Sequence, residues 1–209
     1  RERFIMLAAL DNAVFHFPQP THRFNGKTIG YKDRSRILRA HADAPMALTV
    51  MDAISDLPPL QRGETATMYT LDPQNAYQTE RRKNCVSLSL HKAANHNDKM
   101  MRVIELSGSS IRSLPPDLVS SGFSSGYSRL DANEPATTIT GKFQNPSSSK
   151  CIHPVQNRAL TPREAARIQS FDDSYTFTGP LTDIARQIGN AVPPLLGKAL
   201  AHTIASVIC

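Results

Sequence analysis

Cysteine is scarce in this chain of 209 residues. Cys85, Cys151 and Cys209 are odd in number, lie far apart and form no Cys-x-x-Cys pair. Such spacing supports neither a disulfide framework nor a zinc site, so no metal is expected and a reducing, cytoplasmic setting fits. Long apolar runs are also missing. Nothing approaches the ~20 residues that cross a bilayer, no signal peptide is visible, and no membrane partner is expected. No internal repeat is present.

The first residue is not Met. The chain opens RERFIMLAAL, where charged residues lead straight into an apolar run from Phe4 to Ala9. A run of that length closed by Asp-Asn reads as a strand buried on both faces. Strands of this kind sit inside sheets, so a preceding part of the sheet is expected.

What is present suits a folded, basic protein. Hydrophobic residues make up 40% and the formal net charge is +6. That balance favours an acidic partner such as nucleic acid. Arg23, Lys27, Lys32, Arg34, Arg36 and Arg39 cluster with only Asp33 against them. Arg81, Arg82, Lys83, Lys92, Lys99 and Arg102 form a second group opposed by Glu80 and Asp98. Either group suits phosphate tracking, and either also suits an ordinary solvated surface.

Helical signals are few but specific. Thr49 stands three residues before Asp52, with Val50, Ala53, Ile54 and Leu57 at helical spacing and Pro58-Pro59 as a stop. Thr161, Pro162 and Glu164 make a capping box with Pro at the first helical position. A last helix is expected over roughly 194–207, its apolar face built from Leu195, Leu196, Ala199, Leu200, Thr203, Ile204 and Val207. Gly189-Asn190 reads as a turn before it. Residues 60–157 are rich in Ser, Asn and Gly and predict short strands and loops. His96 and His153 read as surface histidines with a possible DNA role.

Three segments, RERFIMLAA, RALTPREAARIQSFDDSY and RQIGNAVPPLLGKALA, occur in this order. They resemble the last three sequence blocks of the DNA cytosine-5 methyltransferases. RLDANEPATTIT and CIHPVQNRALT are similar to the end of that family's target-recognition region. The resemblance is strong at both ends of the chain and weak over about 60–125, where members read different DNA sequences. It implies the C-terminal part of an α/β, Rossmann-like, S-adenosylmethionine-dependent methyltransferase with a small, mostly β target-recognition domain. The implied division is 1–59 for the end of the catalytic sheet domain, 60–184 for the recognition domain, and 185–209 for a helix returning to the catalytic domain. A bacterial cytoplasm and a restriction-modification context follow as expectations.

Three motifs of the family are missing: an FxGxG cofactor turn, a Pro-Cys nucleophile and a Glu-Asn-Val. The cysteines here follow Asn84, Lys150 and Ile208. The expectation is therefore an incomplete enzyme, inactive alone, whose partners are double-stranded DNA and the N-terminal half of the same enzyme. Cytosine C5 is a poor nucleophile until a thiolate adds at C6, and the base must leave the duplex for that to happen.

The resemblance assigns roles residue by residue. Arg3 matches the arginine that reaches the flipped cytosine's carbonyl oxygen, and Arg1 its neighbour; alternate positions on a strand face one side. Thr138-Ile139 matches a Thr-Leu or Thr-Ile pair whose Thr contacts the DNA backbone. From the second basic cluster, not from the resemblance, Arg81, Arg82 and Lys83 are the expected phosphate contacts. Asn190 and Ala191 match the block beside the S-adenosyl-L-methionine site. Arg163 and Glu164 have a mainly structural role. Asp172 replaces the usual Pro, which predicts a looser turn. A stand-alone DNA-recognition module and a tRNA-methylating relative are the alternatives, and the length of 60–157 speaks against the second.

Overall fold

The computed structural model describes residues 5–7, 14–24, 39–119 and 125–208. Arg1, Arg3 and the first basic cluster from Lys27 to Arg36 lie outside the described residues. Two compact units make up the chain: Leu48–Ala191, and Arg1–Ala47 together with Val192–Cys209.

In the larger unit, α1 (Val50–Ile54) opens on the expected box, with Thr49 accepting from the Asp52 amide and Asp52 accepting from the Thr49 amide. α2 (Ala76–Arg82) and α3 (Asp98–Leu106) each start at an Asn whose side chain accepts the amide three residues on. Both exploit the same side-chain chemistry that makes Asn poor inside helices. α4 (Pro162–Ile168) carries the predicted capping box and Pro. α5 (Leu181–Asn190) is a correction: Gly189-Asn190 is the last turn of a helix, not a separate turn. Ile184, Ala185 and Ile188 bury one face of it, as their spacing from Leu181 allows.

The main core gathers Val50 and Ile54 of α1, Ala165 and Ala166 of α4, Ile184 and Ile188 of α5, and Ile139, Phe143 and Leu160 from the loops. A satellite core of Val103, Leu114 and Tyr127 lies under α3. Arg129 joins the two. Its guanidinium donates to the carbonyls of Ile104, Ser107, His153 and Gln156 and to Asn157 Oδ1, at 2.8–3.2 Å.

The mostly β recognition domain is not built as ladders. Among the described residues the sheet content is isolated bridges, such as Thr65 with Lys92, Arg129 with Ile152 and Ile152 with Ala159. The chain holds 15 prolines, which remove ladder donors. Loop carbonyls are satisfied by arginines such as Arg129 where a neighbouring strand would otherwise serve. Residues 5–7 carry no strand, and the rest of the predicted run 4–9 lies outside the described residues.

In the smaller unit, Arg23 exchanges backbone bonds with Pro45 and Ala47, and its side chain donates to Ala44 at 2.6 Å. α6 (Pro194–Ile208) matches the predicted last helix. None of this unit's described residues is buried. Leu195, Leu196 and Val207 of α6 are all exposed.

Candidate DNA interface and cofactor edge

Thr138 to Thr140 runs into a turn at Gly141, and its side chains alternate in exposure. Thr138 is exposed and Ile139 is buried in the main core. A turn follows: Phe143 donates its amide to Thr140 O at 3.2 Å, and its ring is buried. Ile139 and Phe143 therefore pin the segment from both sides, and the Thr138 hydroxyl is presented to solvent.

α5 lies directly against this segment. A Cβ built on Gly189 would stand 2.2 Å from Gly141 N and 2.4 Å from the Thr140 carbonyl carbon. No side chain fits there. Neither glycine has a positive φ. Gly189 is thus explained by close backbone approach and not by a turn that needs positive φ. Gln169, at the end of α4, donates to Ile188 O at 3.1 Å and ties α5 to the core.

Asn190 is exposed at the C-terminal end of α5, and Ala191 is its half-buried C-cap. From sequence, Asn190 stands in a turn ahead of the last helix. The structure places it at a helix end, where the dipole favours positive charge.

The second basic cluster divides. Arg81 pairs with Asp172 at 3.0 Å and donates to Ser170 O at 2.8 Å. Arg82 reaches Asp56 at 3.2 Å and Leu71 O at 2.7 Å, and its guanidinium carbon lies 3.8 Å from the Tyr69 ring centroid. Both arginines are mostly buried and committed to the protein's own groups. Lys83, the C-cap of α2, is exposed.

Beneath these surfaces runs a buried charge network. Arg167 donates to both oxygens of Asp173 at 2.6 Å and to Asp56 at 3.0 Å. Tyr69 donates to Asp173 at 2.5 Å. Arg158 forks onto Glu164 at 2.8 and 2.5 Å, and Glu164 also accepts the Thr161 amide. Burial would raise the Glu164 pKa, but the Arg158 charge and hydrogen bonds outweigh it and hold the carboxyl at about 2. Arg163 clamps a strained loop: its amide donates to Leu90 O at 3.1 Å and its guanidinium to Ser89, while Leu90 sits at φ +61°. A bulky residue there is costly and needs such support. These contacts give Arg163 and Glu164 structural work, as expected.

Two expectations fail. Asp172 does not loosen its turn: it pairs with Arg81, and its carbonyl accepts from the Tyr175 amide at 3.1 Å. Phe171, Tyr175 and Phe177 pack there with ring centroids 4.8–5.0 Å apart. His153 is not a surface residue. It is buried, and its Nδ1 accepts from the amides of Val155 and Gln156 at 3.1 and 2.9 Å. Burial, against the opposing pull of Glu164, lowers its pKa to about 4. His96 is half-buried, with an Nε2 that has no hydrogen-bond partner.

A family model described as C-5 cytosine-specific DNA methylase matches residues 1–206. The chain belongs to this family. It is 31% identical to DNA (cytosine-5)-methyltransferase 3 of Arabidopsis thaliana, over 98% of this chain and 16% of the plant protein. It is 35% identical to the type II methyltransferase M.DdeI of Desulfomicrobium norvegicum, over 73% of this chain and 41% of that enzyme. To the type II methyltransferase M.AgeI of Thalassovita gelatinovora it is 30% identical, over 98% of this chain and 62% of the relative. The chain thus spans less than two thirds of each of these three. A crystal structure of a prophage-encoded DNA modification methyltransferase (E. coli) superposes with a TM-score of 0.57 at 24% identity, covering 78% of this chain and 48% of the other. At that identity the likeness is one of fold, and it agrees with the S-adenosylmethionine-dependent methyltransferase class. Members of the C-5 cytosine-specific family take their methyl group from S-adenosyl-L-methionine. No helix among the described residues is long and apolar enough to cross a membrane.

Proposed function

We propose that this chain supplies the DNA-recognition region and the closing blocks of a DNA cytosine-5 methyltransferase, and that methyl transfer requires a further polypeptide segment carrying a Pro-Cys thiolate. The observation that carries this reading is the family match set beside the cysteines. None follows a proline, and burial pushes the Cys151 thiol up to about 12, far from the thiolate the chemistry needs. Cys85 donates its thiol to Ser87 O at 3.0 Å.

In this reading the exposed Thr138 hydroxyl donates to a phosphate of the duplex, which positions the DNA without reading its sequence. Lys83 adds a phosphate contact. Arg3, with Arg1 beside it, donates to the carbonyl oxygen of the extruded cytosine. Asn190 and Ala191 border the cofactor. The donor set fits one edge of that group: the Asn190 amide both donates and accepts, and the end of α5 favours the cation that a sulfonium or ammonium presents. S-adenosyl-L-methionine, when bound, supplies the electrophilic methyl. The chain's own part is to hold the duplex, orient the base and close one side of the site. The remaining finer assignments are a recognition unit centred on 60–184, an N-terminal half as partner, and a cytoplasmic, bacterial type II setting, which the names of M.DdeI and M.AgeI support.

The test is direct. Purified chain is incubated with labelled S-adenosyl-L-methionine and cytosine-rich duplex, alone and with a separately expressed segment bearing FxGxG, Pro-Cys and Glu-Asn-Val from a relative. Label at C5 is expected only in the mixture. Label with the chain alone would overturn the reading. A chain that binds duplex but never supports transfer would be a recognition module without catalysis.

A further inference from the structure

Gly189 has no room for a side chain, and what excludes one is the backbone just after Thr138. The Cβ clash distances of 2.2, 2.4 and 2.6 Å are all to backbone atoms of Thr140 and Gly141. Backbone has no rotamer through which to yield, unlike the end of a flexible side chain. From the other side the contact is looser: a Cβ on Gly141 would meet Arg186 Cα at 3.3 Å and Ala185 O at 3.7 Å. Ile188, one residue before Gly189, is fully buried, and Ile139, two residues before Gly141, is buried as well. Both partners of the contact are therefore anchored next to it.

We propose that Gly189 is a positioning residue for DNA. Its bare backbone is the seat on which Thr140–Gly141 rests, and this fixes the exposed Thr138 hydroxyl for a duplex phosphate at a set place relative to Asn190. The proposal rests on the DNA reading given above. It accounts for why a helix ending beside a cofactor edge has glycine one turn-residue before its end without any need for positive φ. An alanine there must shift the Thr140–Gly141 backbone and Thr138 with it, and because Ile139 and Ile188 belong to the main core it strains that core as well.

A double-mutant cycle on the whole 209-residue chain tests it, read by fluorescence anisotropy with a labelled mixed-sequence duplex at fixed low salt. Thr138→Ala is expected to weaken binding about tenfold in the parent, the size of one charge-assisted hydrogen bond. In a Gly189→Ala background the same change should cost less than about twofold, because the hydroxyl is already displaced. Lys83→Ala should cost the same in both backgrounds, which a chain loosened everywhere would not show. If Thr138→Ala costs as much with Gly189→Ala as without it, the positioning role is wrong and the DNA reading survives. If Thr138→Ala is harmless in the parent while duplex still binds, both the positioning role and the Thr138 assignment are wrong. If the parent binds no duplex, the functional reading itself falls and takes the proposal with it. Should Gly189→Ala fail to fold by circular dichroism, Gly141→Ala replaces it. Its 3.3 Å contact predicts partial coupling, with the Thr138 effect reduced by about half in logarithmic terms, and full additivity would overturn the proposal.

Discussion

Arg158 and Glu164 meet fork to fork in the interior, Nη1 to Oε2 at 2.8 Å and Nη2 to Oε1 at 2.5 Å, with both side chains almost wholly out of solvent. The pair does two jobs at once. Glu164 closes the N-terminal box of α4, and Arg158 neutralises the carboxylate that the box has drawn into the core. Removing one partner leaves a buried charge alone. Arg158→Ala is expected to cost on the order of 3–5 kcal/mol in urea unfolding, whereas Arg158→Met with Glu164→Gln should cost clearly less. Equal losses in the two variants would mean that the pair is not the source of the stability.

Acid should unfold the larger unit early. His153 titrates at about 4 when folded, against an ordinary 6.5, so between those values the unfolded chain takes up a proton that the folded chain refuses. Stability therefore falls as pH drops through that window. His91 acts in the same direction, lowered chiefly by burial. Its Nε2 must be the protonated nitrogen because it faces Pro58 O at 2.8 Å. Glu164, held at about 2 against 4.5, adds a second loss further down. Urea midpoints measured from pH 8 to pH 4 should be level above about 7 and decline below 6.5. A flat profile to pH 5 would refute the buried, neutral assignment of the two histidines.

Arg129→Ala should destabilise by about 3 kcal/mol, since it strands several carbonyls that the guanidinium now satisfies. Arg129→Lys should rescue little, because one ammonium lacks the fork that reaches residues 104, 153 and 157 together. Hydrogen exchange should show α3 and the satellite core losing protection first. Uniform loss across both cores would contradict the role of Arg129 as the joint between them.

Salt dependence should separate the three neighbours 81, 82 and 83. Lys83→Ala should lower the slope of log affinity against log salt by about one. Arg81→Ala with Arg82→Ala should lower the melting temperature and leave that slope nearly unchanged, because Asp172 and Asp56 already hold those charges. A large slope change for the arginine pair would return them to the DNA surface.

The sequence made some of this legible and hid the rest for identifiable reasons. Thr49 with Asp52, and Thr161 with Glu164, were readable because a capping box is complete within four residues. α6 was readable from its apolar spacing. α5 was missed, although Leu181, Ile184, Ala185 and Ile188 fall at helical intervals, because Gly189-Asn190 looked like punctuation. The roles of Arg81, Arg82, Arg129 and Arg167 were hidden because their acceptors lie up to 114 residues away in the chain. A run of basic residues looks the same whether its charges face phosphate or buried aspartate. The match of Thr138 and Asn190 to family blocks came from resemblance. That their segments touch through two glycines was invisible until the backbone was placed.

The Gly189 seat also sets a rule for building chimeras. The family resemblance is weak over about 60–125, and the backbone that follows returns to α5 through a contact that tolerates no side chain on one partner. Recognition segments exchanged between relatives should graft cleanly when the junction falls after Gly141, carrying the donor's own approach to the helix. A junction between Thr138 and Gly141 would mix two backbones at the one point with no slack, and such hybrids should fold yet grip DNA out of register.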